Sequence, residues 1–207
     1  MPSLTRRSIV SAKRPGGLLL ALWIILCGAA CGARFTTVVI DAGHGGRDKG
    51  AFHGGVRESR LTLQTAQRLE ALLKRKGLKT AMTRRSDVFV SLGRRVAIAN
   101  RYRSAVFVSI HFNGSRSGSY RGVETFYGSR AGAKLARAIQ TRLATRLKTR
   151  NRGVKLRAFK VLRQTRAPAV LVECGFLSNR GERARCRTGS YQQTAAQAIC
   201  DGILAVR

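Results

Sequence analysis

From position 36 onward, short runs of consecutive apolar residues alternate with longer stretches in which apolar side chains return every three or four positions. The short runs are Thr36–Ile40, Leu78–Thr83, Ala105–Ile110, Val123–Tyr127, Lys160–Leu162 and Ala169–Val172, and each predicts a strand. The longer stretches predict helices. One runs from about Leu61 to Lys76 with Leu61, Leu69, Leu72 and Leu73 on one side, and Gly77 closes it. A second, Leu92–Tyr102, turns Val96, Ala97 and Ala99 inward. A third, about Ala131–Arg150, carries Leu135, Ile139, Leu143 and Leu147 in one stripe with Arg137, Arg142 and Arg146 off it. Tyr191–Ala205 is a closing helix. Strands that alternate with helices imply an α/β fold: a single domain with a central, mostly parallel (mixed) sheet and helices on both faces. No repeat, low-complexity block or linker interrupts the chain between residues 34 and 207.

The first 33 residues have a different pattern. Arg6, Arg7, Lys13 and Arg14 form a basic leader, Leu18–Leu26 is an apolar stretch short for a membrane span, and small residues follow through Ala33. That order predicts a secretory signal peptide or a retained N-terminal anchor, and so an exported protein of the periplasm or cell envelope. Cys31 after Gly28-Ala29-Ala30 adds a lipoprotein option, in which this cysteine would carry the lipid. Past the leader stand Cys174, Cys186 and Cys200, an odd number for an exported domain. A Cys186–Cys200 bridge is the pairing to test, with Cys174 as a small buried filler.

Charge adds a constraint on partners. The chain holds 40 Lys+Arg against 9 Asp+Glu, a formal +31, spread along its length and including the third helix. Such a surface concentrates near polyanions. With aromatics at 6% there is no platform for stacking bases, so an anionic cell-wall polymer or membrane surface is the expected partner and nucleic acid is not. Scarcity also makes each acid informative.

Three of the apolar runs end in residues able to hold a metal or a proton. Val38-Val39-Ile40 leads to His44 among Gly43, Gly45 and Gly46, the run ending at Ile110 leads to His111, and Ala169–Val172 leads to Glu173. The carboxyl ends of strands are where open α/β sheets assemble their chemistry. Glu58, just before the first long helix, is a helix-start carboxylate on its own. Together with His44 and His111 it makes a two-histidine, one-carboxylate set, a common zinc set that leaves a position for water. Glu173 is then free to act as the base for that water. His53 between Phe52 and Gly54 reads as a loop residue without metal contact. Asp41 either orients His44 or caps the turn, Asn113 either meets substrate or shapes its loop, and Glu124 has no assigned role.

Four segments carry a resemblance. They are Val39–Gly46, Glu58 with Leu61-Thr62-Leu63, Ser109–Asn113, and Pro168–Asn179 with its Val172-Glu173-Cys174-Gly175-Phe176 core. In this order they resemble the zinc-dependent N-acetylmuramoyl-L-alanine amidases of the amidase-3 type. The resemblance implies zinc (Zn2+) bound by His44, Glu58 and His111, and Glu173 as catalytic acid/base. It implies peptidoglycan as substrate, cut at the amide between the lactyl group of N-acetylmuramic acid and the first L-alanine of the stem peptide. It leaves open an activator protein, which no residue identifies. Ser59-Arg60, Phe112 and Cys174 depart from the usual pattern, and bear on the groove lining before the ligands. The 61 residues between His111 and Glu173 leave little room for the inserted regulatory helix of some relatives. Two other readings are a zinc carboxypeptidase acting on stem peptides and a non-catalytic basic wall-binding module.

Overall fold

The computed structural model describes residues 35–207. The leader, with Cys27 and Cys31, lies outside the described residues. Among the described residues no helix is long and apolar enough to cross a membrane. The strands are β1 (Thr37–Ala42), β2 (Phe52–His53), β3 (Val56–Arg57), β4 (Lys79–Met82), β5 (Ala105–Asn113), β6 (Val123–Tyr127), β7 (Asn151–Leu156) and β8 (Ala169–Phe176). The helices are α1 (Glu58–Arg75), α2 (Leu92–Ala99), α3 (Arg130–Leu147), α4 (Lys160–Arg163), α5 (Arg180–Cys186) and α6 (Gly189–Leu204). Six strands form one sheet in the order β4-β1-β5-β8-β6-β7. All neighbours in it run parallel except β6 and β8.

Strand side chains alternate between two layers. Val38 and Ile40 of β1, Val106, Val108 and Ile110 of β5, and Val170 and Val172 of β8 join the core that includes Leu69 and Leu73 of α1, Ile139 and Leu143 of α3, and Ile199 of α6. Their neighbours Val39, Phe107 and Leu171 face the other way, onto Val96 and Ala99 of α2 and Val161 and Leu162 of α4. Each fully buried side chain of this size contributes about 1.5–3 kcal/mol. The sheet is thus covered on both faces, and the stripes on α1 and α3 bury as their spacing requires.

Three sequence expectations fail. Lys160–Leu162 is not a strand but the short helix α4, since two apolar residues, Val161 and Leu162, are equally at home in a turn of helix packed on the core. Ala97 faces solvent, because the eight-residue α2 is rotated to bury Arg95. Cys186 and Cys200 are both free and buried, so there is no bridge between them. Cys186 ends α5, whereas Cys200 lies eleven residues along α6, roughly 16 Å of helix rise away from its start. The edge strand β7, the charged helix α5 and the β2–β3 hairpin have no counterpart in the sequence reading.

On the α2/α4 face, one row of side chains changes character toward the carboxyl ends of the strands. Val39 gives way to Asp41, Phe107 to Ser109 and His111, and Leu171 to Glu173. Register sets Asp41 beside Ser109, His111 beside Glu173, and Glu173 beside Glu124 of β6. A period-2 pattern that is apolar at one end and ionisable at the other delivers a polar row to the sheet edge.

Candidate active site

Glu58 opens α1, where the helix dipole favours a carboxylate. Its Oε2 accepts from the Ala51 amide at 2.8 Å, and Oε1 from the Phe112 amide at 3.0 Å. The two imidazoles converge on Oε1: His111 Nδ1 lies 2.9 Å away and His44 Nε2 3.1 Å. One ligand atom from each of His44, Glu58 and His111 falls within 4.8 Å of the others, so the three could hold a metal ion. Two imidazole nitrogens and one carboxylate oxygen, with half-buried histidines open to a cavity, fit zinc with a position to spare. Burial by itself would push the Glu58 carboxyl up, but hydrogen bonds and charge from His111 and His44 outweigh it and hold it well below the usual range.

The loop that carries His44 is tightly constrained. His44 has φ 59°, a left-handed conformation uncommon outside glycine. Arg95 Nη2 donates to its carbonyl at 2.7 Å, and the Gly45 amide donates to Asp48 O at 2.8 Å. His44 Nδ1 lies 2.9 Å from the Asp48 carboxylate, the carboxylate–histidine arrangement that fixes tautomer and ring orientation for a metal on the other nitrogen. Gly43 makes room for His111, since a Cβ there would fall 2.4 Å from the imidazole ring. The two rings meet edge to face, with centroids 4.9 Å apart.

Asp41 has no hydrogen bond to the His44 ring; it acts on that loop through Arg95, which also donates to the His44 carbonyl. Its Oδ1 accepts from Arg95 Nη1 and Thr83 Oγ1, both at 2.6 Å, and its Oδ2 from Ser109 Oγ at 2.6 Å. Arg84 stands beside it and donates to the carbonyls of Ala42 at 2.9 Å, Gly43 at 2.9 Å and Ser59 at 2.7 Å. Burial would raise the Asp41 carboxyl, yet Arg95 and the hydroxyl donors lower it overall.

Glu173 is the opposite case. It lines a cavity of about 360 Å³ with His44 and His111, and Phe89, Leu92 and Phe159 form part of the rim. The residue is half-buried, but Oε2 is buried and has no hydrogen-bond partner. Burial, with Glu58 and Glu124 nearby, pushes its carboxyl well above the ordinary value. Glu124 beside it is spoken for: Asn113 Nδ2 donates at 2.7 Å, and Lys155 and Arg152 pair with its other oxygen. Asn113 therefore holds Glu124 in place. His53 sits in the β2–β3 hairpin, outside the three-residue group. Of the residues that build the site, sequence reasoning missed Asp48, Arg84 and Arg95. Asp48 could have been suspected from its spacing of four from His44; nothing in the spacing marks Arg84, in the loop after β4, or Arg95, in α2, as buried.

Comparison with known proteins shows the family and the fold. A family model described as N-acetylmuramoyl-L-alanine amidase, Amidase_3, matches residues 38–205. N-acetylmuramoyl-L-alanine amidase LytC of Bacillus subtilis (strain 168) is 39% identical over 170 residues, covering 80% of this chain and 34% of LytC. The chain thus spans about a third of that relative's length. The solved catalytic domain of CwlV, an N-acetylmuramoyl-L-alanine amidase from Bacillus (Paenibacillus) polymyxa var. colistinus, superposes with a TM-score of 0.80 at 38% identity, covering 84% of this chain and 100% of that domain. An N-acetylmuramoyl-L-alanine amidase from Clostridium difficile 630 gives 0.79 at 35% identity, covering 83% and 96%. With two thirds or more of its length matched in sequence and in fold, this chain belongs to the amidase-3 family of N-acetylmuramoyl-L-alanine amidases.

Proposed function

We propose that the chain is a peptidoglycan hydrolase that cleaves the amide between the lactyl group of N-acetylmuramic acid and the L-alanine of the stem peptide. Residues 34–207 form the catalytic domain. His44, Glu58 and His111 would hold a zinc ion, and Glu173 would be the general acid/base. The observation that carries this reading is the pairing of a three-ligand group with a buried, unpartnered carboxyl oxygen one strand away, in a chain of this family.

When bound, zinc makes a water acidic near neutral pH and polarises the amide carbonyl. The chain's own groups do the rest. Asp48 holds the His44 ring so that Nε2 points at the metal position. Glu58 is kept ionised by its two amide donors and the histidines. The Glu173 carboxylate takes a proton from the attacking water and delivers it to the departing alanine nitrogen. The exposed side chains of Phe89, Leu92 and Phe159 give apolar surface beside the reacting amide.

The leader fits export to the cell envelope as a signal peptide or anchor, with Cys31 available for lipid, and the basic surface fits retention on anionic polymer. Purified peptidoglycan digested with and without a zinc chelator tests the reaction. An amidase frees whole stem peptides with new alanine amino termini, and chelator stops it. Release of single amino acids would make it a carboxypeptidase, and no chelator-sensitive product would leave only a binding module.

A further inference from the structure

The proposed reaction leaves one cluster of charge unused. Where β6 and β7 begin and β8 ends, a cleft of about 720 Å³ is lined by Arg121, Lys148, Arg150 and Arg185, all exposed. Gly122 lets the two arginine-bearing segments come together: a Cβ there would fall 2.3 Å from the Arg150 carbonyl, which accepts from the Val123 amide at 2.9 Å. The cleft contains one carboxylate, Glu182, and it is buried and engaged. Its Oε1 accepts from the Gly122 amide at 2.8 Å and Thr149 Oγ1 at 2.7 Å, and its Oε2 from the Phe176 amide at 2.8 Å. Among the described residues, no ion pair involves any of the four bases. A second cleft of about 440 Å³ shares Lys148 and Arg185 and continues to Arg146 and the start of α6.

Four like charges gathered without a free acid repel one another and attract a multivalent anion. A single carboxylate would satisfy one of them. An extended chain carrying a charge at regular intervals would meet them all, and guanidinium forks match the oxygens of phosphate. The first cleft offers no aromatic face for bases. We propose that this trough docks a phosphodiester polymer of the cell envelope, on the same sheet edge as the catalytic row. The proposal rests on these cations and stands apart from the amidase reading.

The test is the affinity of the purified chain for fluorescent poly(glycerol phosphate), measured by anisotropy across a range of salt. Arg121→Gln/Arg150→Gln is compared with Lys134→Gln/Arg137→Gln, which removes the same charge from the exposed face of α3. The cleft variant should bind about ten-fold more weakly or worse, with the slope of log affinity against log salt shallower by about 1–2; the α3 variant should change less than about two-fold. Equal losses in the two variants would overturn the site and leave bulk charge. Equal binding of poly-glutamate would overturn the preference for phosphate, and tighter binding of single-stranded DNA of matched charge would reassign the trough to nucleic acid. Alanine-terminated peptides released from polymer-free wall by the unaltered protein report on the amidase reading alone, so either proposal can fail without the other.

Discussion

Two carboxylates on one face of the sheet have opposite fates. Asp41 sits on β1 with both oxygens saturated, paired with Arg95 and bonded to Thr83 and Ser109. Glu173 sits two strands away with a buried oxygen that nothing satisfies. Burial raises both; partners reverse the effect at Asp41, and neighbouring acids reinforce it at Glu173. A charge with every bond made is scaffold, here the brace for the loop that carries His44. A carboxyl left unpartnered at a cavity wall is available for proton transfer. Bonding separates them more sharply than burial does.

The largest effect should come from the unsatisfied member. Glu173→Gln should lower peptidoglycan hydrolysis by about 10²–10⁴-fold while bound zinc, measured by atomic absorption, stays stoichiometric. His44→Ala should lose metal and activity together.

Breaking the satisfied member should harm folding. Arg95→Met leaves Asp41 buried without its cation and should cost about 3–5 kcal/mol in urea unfolding. The native Asp41 pKa lies below the unfolded 3.8, so the stabilisation is present above 3.8 and disappears as pH falls through the lowered native value. The penalty of the substitution should shrink over that same acid window.

Asp48→Asn is intermediate, because it disturbs the orientation of a ligand and not the ligand itself. Zinc affinity by competition with a chromophoric chelator should fall about 10–100-fold with the fold intact.

The smallest effect sharpens the contrast. In metal-free protein the native Glu173 pKa lies above the unfolded 4.5, so its contribution is greatest below 4.5 and is lost as pH rises through the native value. Glu173→Gln should therefore raise the melting temperature at pH 8, by about 2–4 °C, and leave it nearly unchanged at pH 4. The sign is opposite to that of Arg95→Met.

The same contrast explains what could be read from the chain beforehand. The pattern placed β1, β5 and β8 because they are apolar runs buried on both faces, and α1 and α3 because they bury a regular stripe. Edge strand β7 shows little periodicity, being exposed or half-buried throughout. α5 is too charged to show a stripe, although Asn179 followed by Glu182 is an N-cap signature that could have marked it. The hairpin was hidden inside a glycine-rich loop, yet Gly54-Gly55, with φ 52° and 77°, is a turn pair suited to two-residue hairpins. At the site, the scarcity of acids was a sound guide: Asp41, Asp48, Glu58, Glu124 and Glu173, five of the nine carboxylates, stand at or beside it. Thr83-Arg84 agrees with the family resemblance, but the bracing role of Arg84 and Arg95 could not be read among 40 basic residues, since only tertiary structure tells a buried arginine from a solvated one.

Zinc-edge anomalous diffraction from crystals grown with zinc tests the central claim most directly. The account predicts one strong peak bound by His44, Glu58 and His111, with the Glu173 carboxyl beside it and not coordinated. A peak that takes Glu173 as a ligand, or none among these four side chains, would contradict it.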